Sequence, residues 1–144
     1  MTETETPQDS AKPEVIVTGP PVPSALEALE KDFTMHRLWE AGDRDAFLAR
    51  LGHVEMMAST YGKGVDAAMM DALPGLRLIA HFGVGTDNID LAAAAARGIR
   101  VTNTPGVLDD AVAEMTLALM LALARRVGDA DRFVRAGLWL QGNY

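Results

Sequence analysis

The residues best suited by type and spacing to do chemistry lie in "LRLIAHFGVGTDNIDL", residues 76 to 91, where an apolar run opens into Gly83-Val84-Gly85 and a polar turn. Two glycines let backbone N–H groups approach a ligand closely and form a concavity for an anion, and a carboxylate fits such a place. A dinucleotide loop is excluded. That fingerprint needs glycine at the first, third and sixth places of the first β-α unit, whereas the sixth place here is Asn88 and the loop follows the fourth apolar run. A plainer alternative stays open, a glycine turn that only reverses the chain before the helix near Asn88.

Lys63, in "STYGKGV" at residues 59 to 65, is a cation that would attract an anionic substrate, or else a solvated turn residue. His36, His53 and His81 have no partner at metal-ligand or triad spacing. Each is read as structural or exposed, so no metal site and no catalytic residue is assigned. The absence of cysteine removes disulfides, thiol catalysis and thiolate metal sites together.

These loops need a frame, and apolar periodicity supplies one. "EVIVTG" (14 to 19), "FTMHRLW" (33 to 39), "VEMMAST" (54 to 60), "LRLIAHF" (76 to 82) and "IRVTNT" (99 to 104) read as strands. Between them "PSALEALEKDF", with Ser24 as a possible cap, "DRDAFLARLG", "VDAAMMDALPG" and "NIDLAAAAARG" read as helices, and Ala111 to Arg125 as a last long one. Alternation of this kind predicts an α/β fold, a flavodoxin-like doubly wound parallel sheet covered on both faces. Ligands of such sheets sit outside the carboxyl ends of the strands, which confines the search to 18–21, 58–64, 81–87 and 102–107.

Composition narrows the partners. The chain has 144 residues and a net charge of -7, with 20 acidic against 13 basic residues spread along it, so no basic stripe offers itself to nucleic acid. Residues 1–13 read as a solvated tail without a signal sequence, and the expected location is the cytoplasm. The segment "AVAEMTLALMLALA" is shorter than the roughly 20 residues a bilayer requires and contains Glu114. It is expected to be a buried helix, with no membrane contact.

The run "GVGTDNIDLAAAAARGIRVTNTPGVLDDAVAEMTLALMLALARR" resembles the D-isomer-specific 2-hydroxyacid dehydrogenases. With the opening "VIVTGPPVPSALEALEKDFTMHRLWEA" it is most similar to their glyoxylate and hydroxypyruvate reductase branch, from about Glu14 to Trp139. The resemblance implies a substrate domain over 14–105, and over 106–144 a linker and the first helical segment of a truncated NAD(P)-binding Rossmann domain. The backbone at Val84 and Gly85 would hold the substrate carboxylate, and the Lys63 loop lies where the family places residues that touch the substrate. In "VTNTPGV" Thr104 becomes the candidate for a contact to the nicotinamide. The same turn has a plain structural use, with Asp109 or Asp110 capping the following helix.

In a full-length enzyme of this type NAD or NADP would reduce a small 2-oxo acid to the D-2-hydroxy acid, with a homodimer formed through the helix Ala111 to Arg125. The family's Arg, Glu and His lie downstream of the segment matching "GLWLQGNY", and no Gly-x-Gly-x-x-Gly occurs in this chain. The chain alone is therefore expected to be inactive and to bind no coenzyme tightly. The alternative is a non-enzymatic dimerisation or interaction module. A phosphorylation receiver is excluded because its acidic cluster and its aspartate at the third strand are missing, and a flavodoxin because the prolines of "GPPVPS" lack N–H donors for a phosphate.

Overall fold

A computed structural model of the chain describes residues 12–142. It falls into two compact units that divide between Pro105 and Gly106. The first holds strands β1 (Glu14–Val17), β2 (Thr34–Arg37), β3 (Met56–Thr60), β4 (Leu78–Phe82) and β5 (Arg100–Thr102), with helices α1 (Pro23–Asp32), α2 (Arg44–Arg50), α3 (Ala67–Asp71) and α4 (Leu91–Ala96) between them. All pairings are parallel, in the order β2-β1-β3-β4-β5, which is the flavodoxin-like arrangement. Most of the expected tail lies outside the described residues. Its last two residues are tied down: Lys12 Nζ donates to Glu30 O at 3.0 Å, and Pro13 O accepts from the Thr34 amide at 2.9 Å.

The helices start where an aspartate can accept from the first turn. Asp43, Asp66 and Asp90 each take the amide three residues on, Ala46, Met69 and Ala93, at 3.0, 2.8 and 2.8 Å. Each bond satisfies an amide that the helix leaves unpaired. Helix α4 stops on Gly98, whose φ of 68° places it in the left-handed region. The Gly98 and Ile99 amides then reach back to Ala95 O and Ala94 O at 3.1 and 2.9 Å, a double closure that delivers the buried Ile99 into β5. Helix α1 differs from expectation. Val22 occupies the cap position, Pro23 begins the helix, and no side chain caps it, so Ser24 lies inside the first turn. Proline's fixed φ and missing N–H suit that position.

Register sorts the side chains into two faces. The row Ile16, Met57, Ile79 and Val101 faces a core completed by Leu48, Leu51, Met69, Met70, Leu73 and Ala94 from α2, α3, α4 and their ends. The opposite row, Val17, Ala58, Ala80 and Thr102, meets only α1 within this unit. Helices lie on both faces, as expected, but unevenly: on the α1 side Ala80 is exposed and Phe82 is 56% exposed within the chain. One helix is too narrow to span five strands.

At the amino ends of the strands Glu14 carries two imidazoles. His36 Nε2 lies 2.6 Å from its Oε2, and His53 Nε2 3.3 Å from both oxygens. The hydrogen bond from His36, then that from His53, hold the Glu14 carboxyl below its usual 4.5. A depressed carboxyl contributes stability above its unfolded value and loses it as pH falls through the folded one. Urea midpoints are expected to fall as pH drops below 4.5, and Glu14→Gln should flatten part of that slope. The effect is small because the group is exposed and screened.

The second unit contains α5 (Asp109–Ala124), α6 (Val127–Arg135) and a 3-10 turn at Leu138–Leu140. Helix α5 ends at Arg125, and Arg126 takes a left-handed φ of 51° that turns the chain into α6, a helix beyond the last one expected. Leu108 is the cap of α5 and makes no side-chain bond, so Asp109 and Asp110 sit in the first turn instead of capping it. There they face the positive end of the helix dipole. The expected burial of this helix is also overturned: none of its residues is buried and Leu123 is 82% exposed. No helix among the described residues is long and apolar enough to cross a membrane.

Candidate functional site at the carboxyl ends of the strands

Strand β4 ends at Phe82, and the loop after it is shaped from below. His81 is buried, and its Nδ1 lies 2.8 Å from Oγ of the buried Ser59, its lateral neighbour on β3. Its ring lies under Gly83. A Cβ there would come within 2.5 Å of Nε2, so only glycine allows the backbone over the imidazole. Neither Gly83 nor Gly85 has a positive φ. Close approach, not a left-handed turn, is what Gly83 provides.

From the side the loop is held by the segment after β5. The Thr104 amide donates to Gly83 O at 3.0 Å, and Asn103 Nδ2 donates to Val84 O at 2.8 Å. The amides of Val84 and Gly85 donate no hydrogen bond among the described residues. They are left to solvent or a ligand, and an unsatisfied N–H is costly unless one of these takes it.

Asn88, the residue that breaks the dinucleotide pattern, has a structural use. Its Nδ2 donates to Lys63 O at 3.1 Å, its carbonyl accepts from the Val65 amide at 2.9 Å, and Val65 forms an isolated bridge with Ile89. A glycine could not make the side-chain bond. The loop carrying Lys63 is thereby stitched to the loop carrying Val84 and Gly85. The Lys63 stem packs over Gly19, 3.3 Å from where a Cβ would stand, and lines a hollow of about 260 Å³ with Thr60 and Phe82. Thr18 Oγ1 accepts the Thr60 amide at 3.1 Å and locks the ends of β1 and β3 together.

The four residues singled out in the sequence thus fall on adjoining loops at one end of the sheet. Thr104 spends its amide on Gly83 and lines an apolar groove of about 400 Å³ between α1 and the open sheet face. Asn103, Ser59 and His81 were missed as contributors to the site. The partners lie 19 and 22 residues apart along the chain, and no local pattern announces such pairs. No group of three or more His, Asp or Glu that could hold a metal occurs among the described residues.

Three of the four helix starts of this unit carry an acidic cap, while α1 has no side-chain cap. Helix α4, which follows the glycine loop, has Asp90's carboxylate on its first turn, and α2 and α3 carry Asp43 and Asp66. A pyrophosphate seeks the free N–H groups of a helix start, and at these three an acidic side chain already takes one of them.

A five-stranded parallel sheet of this order is an α/β domain, and in such domains ligands sit at the strand carboxyl ends, where Val84 and Gly85 lie. Comparison with known proteins then gives the family. Residues 15–137 match the D-isomer specific 2-hydroxyacid dehydrogenase family, catalytic domain, and the chain belongs to it. A glyoxylate reductase of Thermococcus litoralis is 40% identical over 131 residues, 89% of this chain and 39% of the relative. Among solved structures, a 2-hydroxyacid dehydrogenase from Ketogulonicigenium vulgare superposes with a TM-score of 0.87 at 43% identity, over 93% of this chain and 43% of that one. An NADPH-dependent glyoxylate/hydroxypyruvate reductase from Sinorhizobium meliloti, in complex with NADP and malonate, gives 0.78 at 37% identity, over 91% and 40%. The chain spans about two fifths of the length of these relatives.

Proposed function

We propose that this chain is the substrate-binding portion of an NAD(P)-dependent reductase that converts a small 2-oxo acid of the glyoxylate or hydroxypyruvate type to the D-2-hydroxy acid. The observation that carries it is the pair of free amides at Val84 and Gly85, held over His81 on a loop of the shared family fold. They bind the substrate carboxylate, whose charge-assisted hydrogen bonds are about twice as strong as neutral ones. Lys63, with no ion-pair partner among the described residues, draws the anion toward the loop. Thr104 presents its hydroxyl toward the nicotinamide.

Residues 14–105 form the substrate domain in this proposal, and 106–144 begin the coenzyme domain. Hydride transfer needs a coenzyme held against the substrate carbon and an acid at the carbonyl oxygen. Neither role is assigned to a residue of this chain, so the chain alone is expected to bind the acid and not to turn it over. The test is titration of the isotope-labelled chain with glyoxylate, read at the backbone amides. Saturable shifts centred on Val84 and Gly85, with no quenching or enhancement of NADH or NADPH fluorescence by the chain, are expected. Tight saturable binding of either coenzyme would sink the domain assignment.

The exposed apolar residues of α5, including Val112, Met115, Leu119 and Leu123, favour homodimerisation through that helix. A patch of this extent on a lone chain marks an interaction surface. They also support the second reading, a non-enzymatic dimerisation module. Absence of any glyoxylate response in a chain that sediments as a dimer would favour the module.

A further inference from the structure

We infer that Asn103 is a positioning residue that sets the direction of the Val84 and Gly85 amides, acting through the carbonyl of Val84. This rests on the proposal that those amides receive the substrate carboxylate. The peptides are trans, and a planar trans peptide holds its C=O and the following N–H antiparallel. Fixing the carbonyl of residue 83 therefore fixes the N–H of residue 84, and the carbonyl of 84 fixes the N–H of 85.

Both carbonyls are drawn to one short segment. Gly83 O accepts from the Thr104 amide at 3.0 Å, and Val84 O accepts from Asn103 Nδ2 at 2.8 Å. In an extended chain successive carbonyls point to opposite sides. Here both are bound by adjacent residues of one segment, and on this inference the two N–H groups turn together to the side away from residues 103 and 104. A convergent pair of amides is what one carboxylate group needs, and alternating amides would offer it only one donor.

The two anchors differ in kind. The Thr104 bond is backbone and survives any substitution there except proline. The Asn103 bond depends on a carboxamide donor, and Asn103 is exposed, so no core packing would keep the Val84-Gly85 peptide in place without it. The buried Ser59–His81 pair supports the loop at Gly83 from beneath and does not reach that second peptide's carbonyl. Asn103 is thus the element on which the second donor rests.

The experiment uses the whole chain with glyoxylate as the probe and compares Asn103→Ala, Asn103→Asp and Asn103→Gln with the parent. Loss of one donor's alignment is expected to weaken glyoxylate binding about tenfold in Asn103→Ala. Asn103→Asp should weaken it further, since it removes the donor and sets a carboxylate near the site, while Asn103→Gln, which keeps the donor, should recover part of the loss. Urea midpoints should stay within error in all three, because the position is exposed. In the free protein the ¹⁵N order parameter of Gly85 should fall in Asn103→Ala more than that of Val84, and rise again in Asn103→Gln. Parent-like binding and parent-like order at Gly85 in Asn103→Ala would overturn the positioning role while leaving the carboxylate site intact. No response of Val84 or Gly85 to glyoxylate in the parent chain would overturn the site itself, and the role with it.

Discussion

Gly83→Ala is expected to abolish the glyoxylate response at Val84 and Gly85 and to lower stability by about 1–3 kcal/mol, the range for overpacking a filled interior. The added Cβ would stand 2.5 Å from His81 Nε2 and 3.1 Å from its Cδ2. A free imidazole would swing aside. This one is buried and bonded through Nδ1 to Ser59, so moving it breaks a buried hydrogen bond, and moving the loop breaks the Thr104 and Asn103 bonds. Urea unfolding measures the first effect and amide titration the second. A double-mutant cycle with His81→Ala provides the check, since removing the ring removes the clash. The double variant should be more stable than the sum of the single losses implies, and strict additivity would show that the ring is not what excludes the Cβ.

The second large effect lies at the other end of the sheet. Gly75→Ala is expected to cost about 3 kcal/mol or more, near or above the top of the overpacking range. Its Cβ would lie 2.7 Å from Gly52 O and 2.9 Å from both C and O of His53. All three are backbone atoms, so no rotamer change relieves the contact. The turn cannot retreat either: the Gly75 amide donates to Gly52 O at 2.8 Å, and the neighbouring Leu73 and Leu76 are buried in the core. Gly42→Ala is the matched control, because nothing lies within 4 Å of a Cβ there and its φ is not positive. It should be neutral or gain about 0.4–1 kcal/mol through the unfolded state. Equal urea midpoints for the two variants would refute the packing account.

Much of the architecture was legible because it is local. Asp43, Asp66 and Asp90 each precede by three residues the amide they accept, and strand and helix alternate in apolar period, so the element order followed from reading along the chain. Ser24 was misjudged because Pro23 takes the first helical position and moves the cap to Val22. Helix α5 was misjudged for a different reason: an apolar surface states that a partner is needed, not that one is present within the chain.

The site divides in the same way. Gly83-Val84-Gly85 could be picked out from residue type, since glycine's missing Cβ is a property of the residue itself. That Gly83 serves to clear an imidazole, that Ser59 fixes that imidazole, and that Asn103 and Thr104 hold the carbonyls could not. These depend on β3, β4 and β5 lying side by side in register, which brings together residues about twenty positions apart. By itself the sequence determined the order of elements, the parallel fold and the loop able to meet an anion, because periodicity, capping and glycine act over a few residues. Only the tertiary structure decided which amides are free, what holds them and which face of the sheet carries α1 alone within its unit, because those follow from contacts that strand pairing creates.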